Sequence, residues 1–275
     1  MANTDLNHFP VFHVPHDGAE FPAELMSSVC VPKELFLFYH ERMRDIDVRK
    51  MVPVRWRNPA HSLIFPVSRL LCDVERFLGD GEPMERYGMG FCYERVFDGR
   101  QIKEVTEELK QATLRYYREH HSRLDLLCTR YPQILLLDLH SFSEEIVPRE
   151  QLRPGEQTPD VCLGVDEQFT PEELASTGEG ILQRAGYTTA RNYPYSGSMV
   201  PTGVLTGDTV CACASIMLEW NKKAYCDNSG TPDSRKLACI RVAIEQIVDG
   251  YEKVEKNKKV HDLWTTVFSP RGILY

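Results

Sequence analysis

The sequence predicts an α/β fold: a mixed, mainly parallel central sheet flanked by helices. Three observations carry that expectation. Apolar runs at 9–15, 133–139 and 210–219 alternate with helical patterns at 102–130, 170–186 and 233–257, the order that builds a sheet covered by helices. The run QILLLDL at 133–139 is apolar without alternation, as expected of a strand covered on both faces. His16, His140 and Glu219 stand at, or just past, the carboxyl ends of three apolar runs, where ligands collect in such sheets.

Taken in order, residues 9–15 (FPVFHVP) read as a short buried strand stopped by Pro15. His16-Asp17-Gly18 then turns, and Pro22 opens a helix through ELMSSV, proline being suited to a first helical turn. Residues 34–52 read as a helix carrying Asp45 and Asp47, and 62–73 (SLIFPVSRLLCD) as a strand interrupted at Pro66, followed by a glycine-bearing loop to about residue 100. In the long helix over 102–130, Val105, Leu109, Ala112, Tyr116, Leu124 and Leu127 recur at three- and four-residue steps or their sums. A second loop-rich region covers 143–170. Thr170-Pro171-Glu172-Glu173 has the pattern of an N-cap, a first-turn proline and early acids, and Gly186 ends that helix. A strand at 187–191, a loop at 192–208, a buried strand at 210–219 (VCACASIMLE) and a terminal helix at 233–257 complete the chain. Without repeats or low-complexity linkers, residues 1–275 read as one domain with loop-rich insertions near 78–100 and 143–170.

The composition, 42% hydrophobic and 26% charged, is that of a globular protein. A net charge of -8 argues against nucleic acid as a partner, because a phosphate backbone calls for a basic surface. The opening residues MANTDLNHFPVFHVP lack the pattern of a secretory leader, and no run approaches the roughly 18 apolar residues needed to cross a bilayer. The nine cysteines are odd in number and scattered. Cys30, Cys72, Cys128, Cys162 and Cys239 lie in apolar surroundings, and Cys211-Ala-Cys213 is too tight for the usual zinc spacing. A reduced, cytoplasmic protein is the expectation.

Neutral imidazole is a common zinc ligand and a strand end fixes its direction, so His16 and His140 are candidate metal ligands. A hydrolytic zinc site usually takes a third protein ligand and leaves one position for water. Glu20, close to His16, and Asp45 both compete for that place. Glu219 ends an apolar run and is either paired in the core or poised as a general base. Asp138, inside LLLDLH, orients His140 or another imidazole, or pairs with an arginine. Arg69 and Arg76 lie between core elements, where either could clamp a substrate carboxylate or pair with Asp73. His120 and His121 share the long helix, one expected to pack and the other to face solvent. The GxSxG elbow, the GxxxxGK[ST] and GxGxxG loops and the HExxH zinc motif are all absent.

These residues sit in a recognisable series: VPHDGAEFP (14–22), DIDVRKM (45–51), VSRLLCDVER (67–76), YYREHHSRL (116–124), LLLDLHS (135–141), PDVCLG (159–164), NYPYSGS (192–198) and SIMLEWNKKAY (215–225). In that order they resemble the N-formylglutamate amidohydrolase family. The resemblance implies a phosphorylase/hydrolase-like fold related to zinc carboxypeptidases and aspartoacylase. It implies one zinc ion and hydrolysis of an N-formyl, or similar N-acyl, group on a small acidic amino acid. It carries over His16 and His140 as metal ligands, moves the third ligand to Asp45, makes Glu219 the base, and puts Arg69, Asn192 and Tyr195 near substrate. CDVER departs from the family with Glu75 where asparagine is frequent, and LEWNKKAY departs with Trp220 and Lys222. Other readings keep the fold: a zinc peptidase or deacylase with another substrate, or a binding protein without catalysis.

Overall fold

The computed structural model describes residues 6–79 and 81–267, with side chains of the last helix described through Lys259. Residues 1–5, part of the stretch read for a leader, lie outside the described residues. The strands are β1 (Phe9–Val14), β2 (Ser62–Ile64), β3 (Gln133–Phe142), β4 (Val161–Gly164), β5 (Thr189–Arg191) and β6 (Ala212–Asn221). The helices are α1 (Ala23–Met26), α2 (Lys33–Met43), α3 (Glu107–Arg130), α4 (Glu172–Arg184), α5 (Thr202–Leu205), α6 (Lys222–Tyr225) and α7 (Ser234–Val267). The strands form one sheet in the order β2-β1-β3-β6-β4-β5. All neighbours are parallel except β4 and β6, which is the mixed, mainly parallel sheet expected.

Alternation along the strands decides what each face carries. Phe12, Val14, Leu135, Leu137, Leu139, Ile216, Leu218 and Trp220 pack in one core with Leu174 and Ile181 of α4 and Ile240, Ile244 and Ile247 of α7. Val11, Ile134 and Leu136 face the other way, onto Leu124 and Cys128 of α3. The same period continued toward the carboxyl ends puts His13, Asp138, His140 and Glu219 on the α3 face. His13 lies in register with Asp138, and His140 with Glu219. Thus a mainly apolar lower sheet gives way to an ionisable upper edge.

Several boundaries differ from the sequence reading, each for a local reason. Pro66 ends the pairing early, so β2 stops at Ile64 instead of reaching residue 73. α2 ends at Met43, not 52, because Arg44 is extended and Asp47 is left-handed with φ 63°. α3 begins at Glu107, where the Thr106 side chain caps by accepting from the Leu109 amide. Residues 102 and 103 are instead bridged to 29 and 30 by extended pairing. β4 lies inside the region read as loop; four residues are too few to show a period. At α4 the cap position is Pro171, while the Thr170 hydroxyl donates to the Ser215 carbonyl. The nine cysteines are free, but Cys30 and Cys239 are exposed rather than buried in apolar surroundings. Among the described residues no helix is long and apolar enough to cross a membrane.

Candidate metal and catalytic site

The turn after β1 sets the first imidazole. Gly18 is required there, since a Cβ would meet the Val67 and Phe65 carbonyl oxygens at 2.5 and 2.6 Å. Asp17 fastens the turn to the break after α2: its carboxylate accepts from the Asp47 and Arg49 amides at 3.2 and 2.9 Å. The Asp45 amide donates to the His16 carbonyl at 3.0 Å. Leaving the helix at Arg44 is what turns Asp45 inward. Half-buried Lys222 caps that helix end, donating to the Arg42 and Arg44 carbonyls.

His16, Asp45 and His140 come together, each buried, with one ligand atom apiece inside a 4.8 Å cluster. Asp45 Oδ2 lies 3.2 Å from His140 Nδ1 and 3.7 Å from His16 Nδ1. Zinc–nitrogen bonds of about 2.0–2.1 Å in a tetrahedron give donor–donor edges of roughly 3.3 Å. The other nitrogen of each ring is taken. His16 Nε2 donates to Asp73 Oδ1 at 2.9 Å. His140 Nε2 faces Asp138 Oδ1 at 3.0 Å and Glu75 Oε1 at 3.1 Å. Both rings therefore point an Nδ1 at Asp45, the arrangement by which an outer carboxylate fixes a ligating tautomer. His16 Nδ1 and Asp45 Oδ1 are buried with no hydrogen-bond partner. Two nitrogens and a carboxylate, with orphaned donor atoms among them, fit a zinc-type cation.

The charges agree. With every carboxylate ionised, Asp45, Asp73, Glu75, Asp138 and Glu219 carry five negative charges against the three positive charges of Arg69, Arg76 and Lys222. The excess is two, the charge of a single divalent ion. Without one, protons take its place. Burial opposes charging His140, yet Glu75 and Asp138 raise its pKa well above the ordinary range. Burial and Arg69 lower that of His16, but Asp73 and Asp45 outweigh them and raise it. Asp45 and Asp73, despite burial, are held below the usual carboxylate range, Asp45 by His140 and His16, Asp73 by His16, Arg69 and Arg76.

The remaining expected residues divide. Glu219 is 7% exposed and lies beside His140 across the β3–β6 pair. Arg69 pairs with Asp73 at 2.9 Å, and its Nε has no partner. Arg76 Nε lies 3.6 Å from the same carboxylate. Tyr195 packs edge-on against Phe142, and burial and then Glu219 raise its phenol pKa. Asn192 is not drawn into the cluster: its amide accepts from the Val165 and Gly197 N–H groups and donates to the Val165 carbonyl, which clasps a loop. Glu20 is exposed and bridges to Val67 through its backbone. His121 does not face solvent freely; it is half-buried, with Nε2 2.7 Å from the Val74 carbonyl. Sequence reasoning left Asp73 only as a partner for arginine and did not weigh Glu75 or His13 as site residues. The signal for His13 was its parity with Val11 on the α3 face.

An α/β sheet bearing buried imidazoles and carboxylates at its carboxyl edge puts ionisable groups where ligands collect in such folds, and the comparisons name the class, hydrolases that act on amide bonds. The profile of the N-formylglutamate amidohydrolase family matches residues 10–226, and the chain belongs to that family. In fold it is similar to N-formylglutamate amidohydrolase from Ralstonia eutropha JMP134, with a TM-score of 0.71 and 21% identity over 91% of this chain and 95% of that one. Fainter likenesses are to a bacteriophage poly-gamma-glutamate hydrolase (TM-score 0.29, 12% identity, 47% of this chain and 57% of that one) and to zinc-free YNDL (0.24, 13%, 42% and 53%). No curated protein matches the chain.

Proposed function

We propose that the chain is a zinc-dependent amidohydrolase that removes the formyl group, or a similar small acyl group, from an acidic amino acid such as N-formylglutamate. The observation that carries this is the pair of Nδ1 atoms of His16 and His140 converging on Asp45. These residues would hold one zinc-type ion, in a fold that the family resemblance relates to zinc carboxypeptidases. When bound, such an ion supplies Lewis acidity to an amide carbonyl and acidity to a water molecule. Glu219 takes the proton of the attacking water and returns it to the leaving amine. Burial, which pushes its pKa up to about 8, supports that role. Arg69, with Nε free, faces the substrate carboxylate. Tyr195 donates to the carbonyl oxygen as negative charge develops, a contact worth about 3–4 kcal/mol in other hydrolases. Asn192 acts indirectly, holding the loop that carries Tyr195. Nine free thiols suit a cytoplasmic setting.

The direct test is purification followed by metal analysis and formate release from N-formylglutamate, alongside a panel of N-formyl and N-acetyl amino acids. One zinc per chain and equimolar formate and free amino acid are expected. A protein without stoichiometric metal that also cleaves nothing in the panel would be a binding protein of this fold. Cleavage confined to another N-acyl substrate would retain the mechanism and move the specificity. The third ligand has its own test. Asp45→Ala is expected to weaken zinc retention at least about 100-fold, more than loss of an outer partner costs, whereas Glu20→Ala leaves it unchanged. Chelator competition reads both, and the reverse order would exchange the two residues.

A further inference from the structure

Behind His140 lies a second line of buried polar contacts that the proposed chemistry does not use. Asp138 Oδ1 accepts at 3.0 Å from His140 Nε2 and at 2.8 Å from His13 Nδ1. Its other oxygen accepts from the Met199 amide at 3.2 Å. His13 then reaches into α3, where its Nε2 lies 2.8 Å from Nε2 of His120. His13 is fully buried and His120 is 3% exposed, so the contact lies away from bulk solvent. Two imidazole nitrogens at that distance share one proton, one donating and the other accepting. Burial, with His13 beside it, keeps His120 neutral by lowering its pKa. His120 is itself braced by the edge of Phe65.

We infer that His13 and His120 are positioning residues, a buried imidazole pair that holds Asp138 in the orientation that presents His140 Nδ1 to Asp45. The inference rests on the zinc reading of the His16–Asp45–His140 cluster. Its logic is geometric. Asp138 can turn about both Cα–Cβ and Cβ–Cγ, and the His13 N–H is a donor that pins the same oxygen His140 needs. Remove the proton that His120 shares with His13 and the His13 ring is left with a buried nitrogen unsatisfied, which favours a ring flip away from Asp138. The rival use of these residues is a second cation held by His13, Glu75 and Asp138, whose ligand atoms also fall within 4.8 Å. The charge balance opposes it, since a single divalent ion already cancels the excess. Outer partners of metal-bound histidines typically contribute 10–100-fold in metal affinity, and a contact two residues removed falls at the low end.

The test uses the full chain, zinc and a competing chelator. His120→Phe is expected to weaken zinc binding by about 10-fold, and His120→Gln, which keeps an N–H donor, to recover most of that loss. His120→Met is the apolar comparison should the phenylalanine variant not fold. In metal-free protein, proton–nitrogen spectra should show two slowly exchanging imidazole protons, one on His13 Nδ1 and one between His13 and His120, both lost in His120→Phe. Wild-type affinity in His120→Phe overturns the inference. So does a second zinc equivalent that disappears in His13→Phe, because His13 would then be a ligand. A wild-type protein that shows both protons but binds no zinc supports the hydrogen-bonded pair and refutes the cation reading on which it was placed.

Discussion

Replacing Glu219 by glutamine is expected to lower kcat by about three orders of magnitude while zinc stays bound, within the 10²–10⁴-fold range of general base catalysis. Glutamine keeps the shape and can still hydrogen-bond, but it cannot take a proton from water. The candidate metal cluster is built on the turn after β1, on β3 and on the break after α2, so a change on β6 leaves the three candidate ligands in place. The pH dependence of stability gives an independent reading. Burial, opposed by His140 and reinforced by Asp45 and Glu75, pushes the Glu219 carboxyl up to about 8 from 4.5. A folded-state pKa above the unfolded one means the fold retains a proton that the unfolded chain releases. The stabilisation is complete below about pH 4.5 and is withdrawn as pH climbs through about 8. In metal-free protein, therefore, the Tm of Glu219→Gln should gain on wild type as pH rises from 5 toward 8. Taking the difference between the two proteins cancels the titrating groups that do not interact with Glu219. A difference independent of pH, or a variant that keeps its kcat, would remove Glu219 from the role of base.

The long elements of this fold were legible because they repeat a pattern often enough to be counted. β3 and β6 were visible as unbroken apolar runs, and α3 and α4 by their spacing and starts. What was not legible depends on contacts between segments distant in sequence. β4 is four residues long and antiparallel to β6, so only the partner strand reveals it. The break at Arg44 carries no proline or glycine; Lys222, from the far end of the chain, caps the helix there and turns Asp45 inward. That is why Asp45 and Glu20 stood level on spacing, and why the family resemblance, not the periodicity, favoured Asp45. His16 and His140 were found from strand ends. Their partners Asp73 and Glu75 come from a loop whose course follows no period, and His13 was hidden as one polar residue in a buried strand.

Replacing His140 by alanine is expected to lower zinc affinity by at least about 100-fold, since a ligand matters more than the outer partners that contribute 10–100-fold, and to abolish formate release with it. The reasoning goes beyond the loss of one bond. Among the described residues, His140 is the only ring that faces Asp45 on one edge and Asp138 with Glu75 on the other. In metal-free protein its imidazolium is the counter-ion of all three, since those carboxylates, against burial, raise its pKa well above the ordinary range. Alanine leaves them facing one another in a buried space, and removing one member of a buried ion pair costs about 3–5 kcal/mol. Two deficits are therefore expected and can be separated. Chelated wild type measured against chelated His140→Ala reports the missing imidazolium through Tm, and zinc-loaded wild type measured against chelated wild type reports the metal. If the variant retained a full zinc equivalent, the ion would have to sit elsewhere. If it lost zinc but kept the metal-free Tm of wild type, the carboxylates would be neutralised by their own protons, and the charge balance that points to one divalent ion would fail with them.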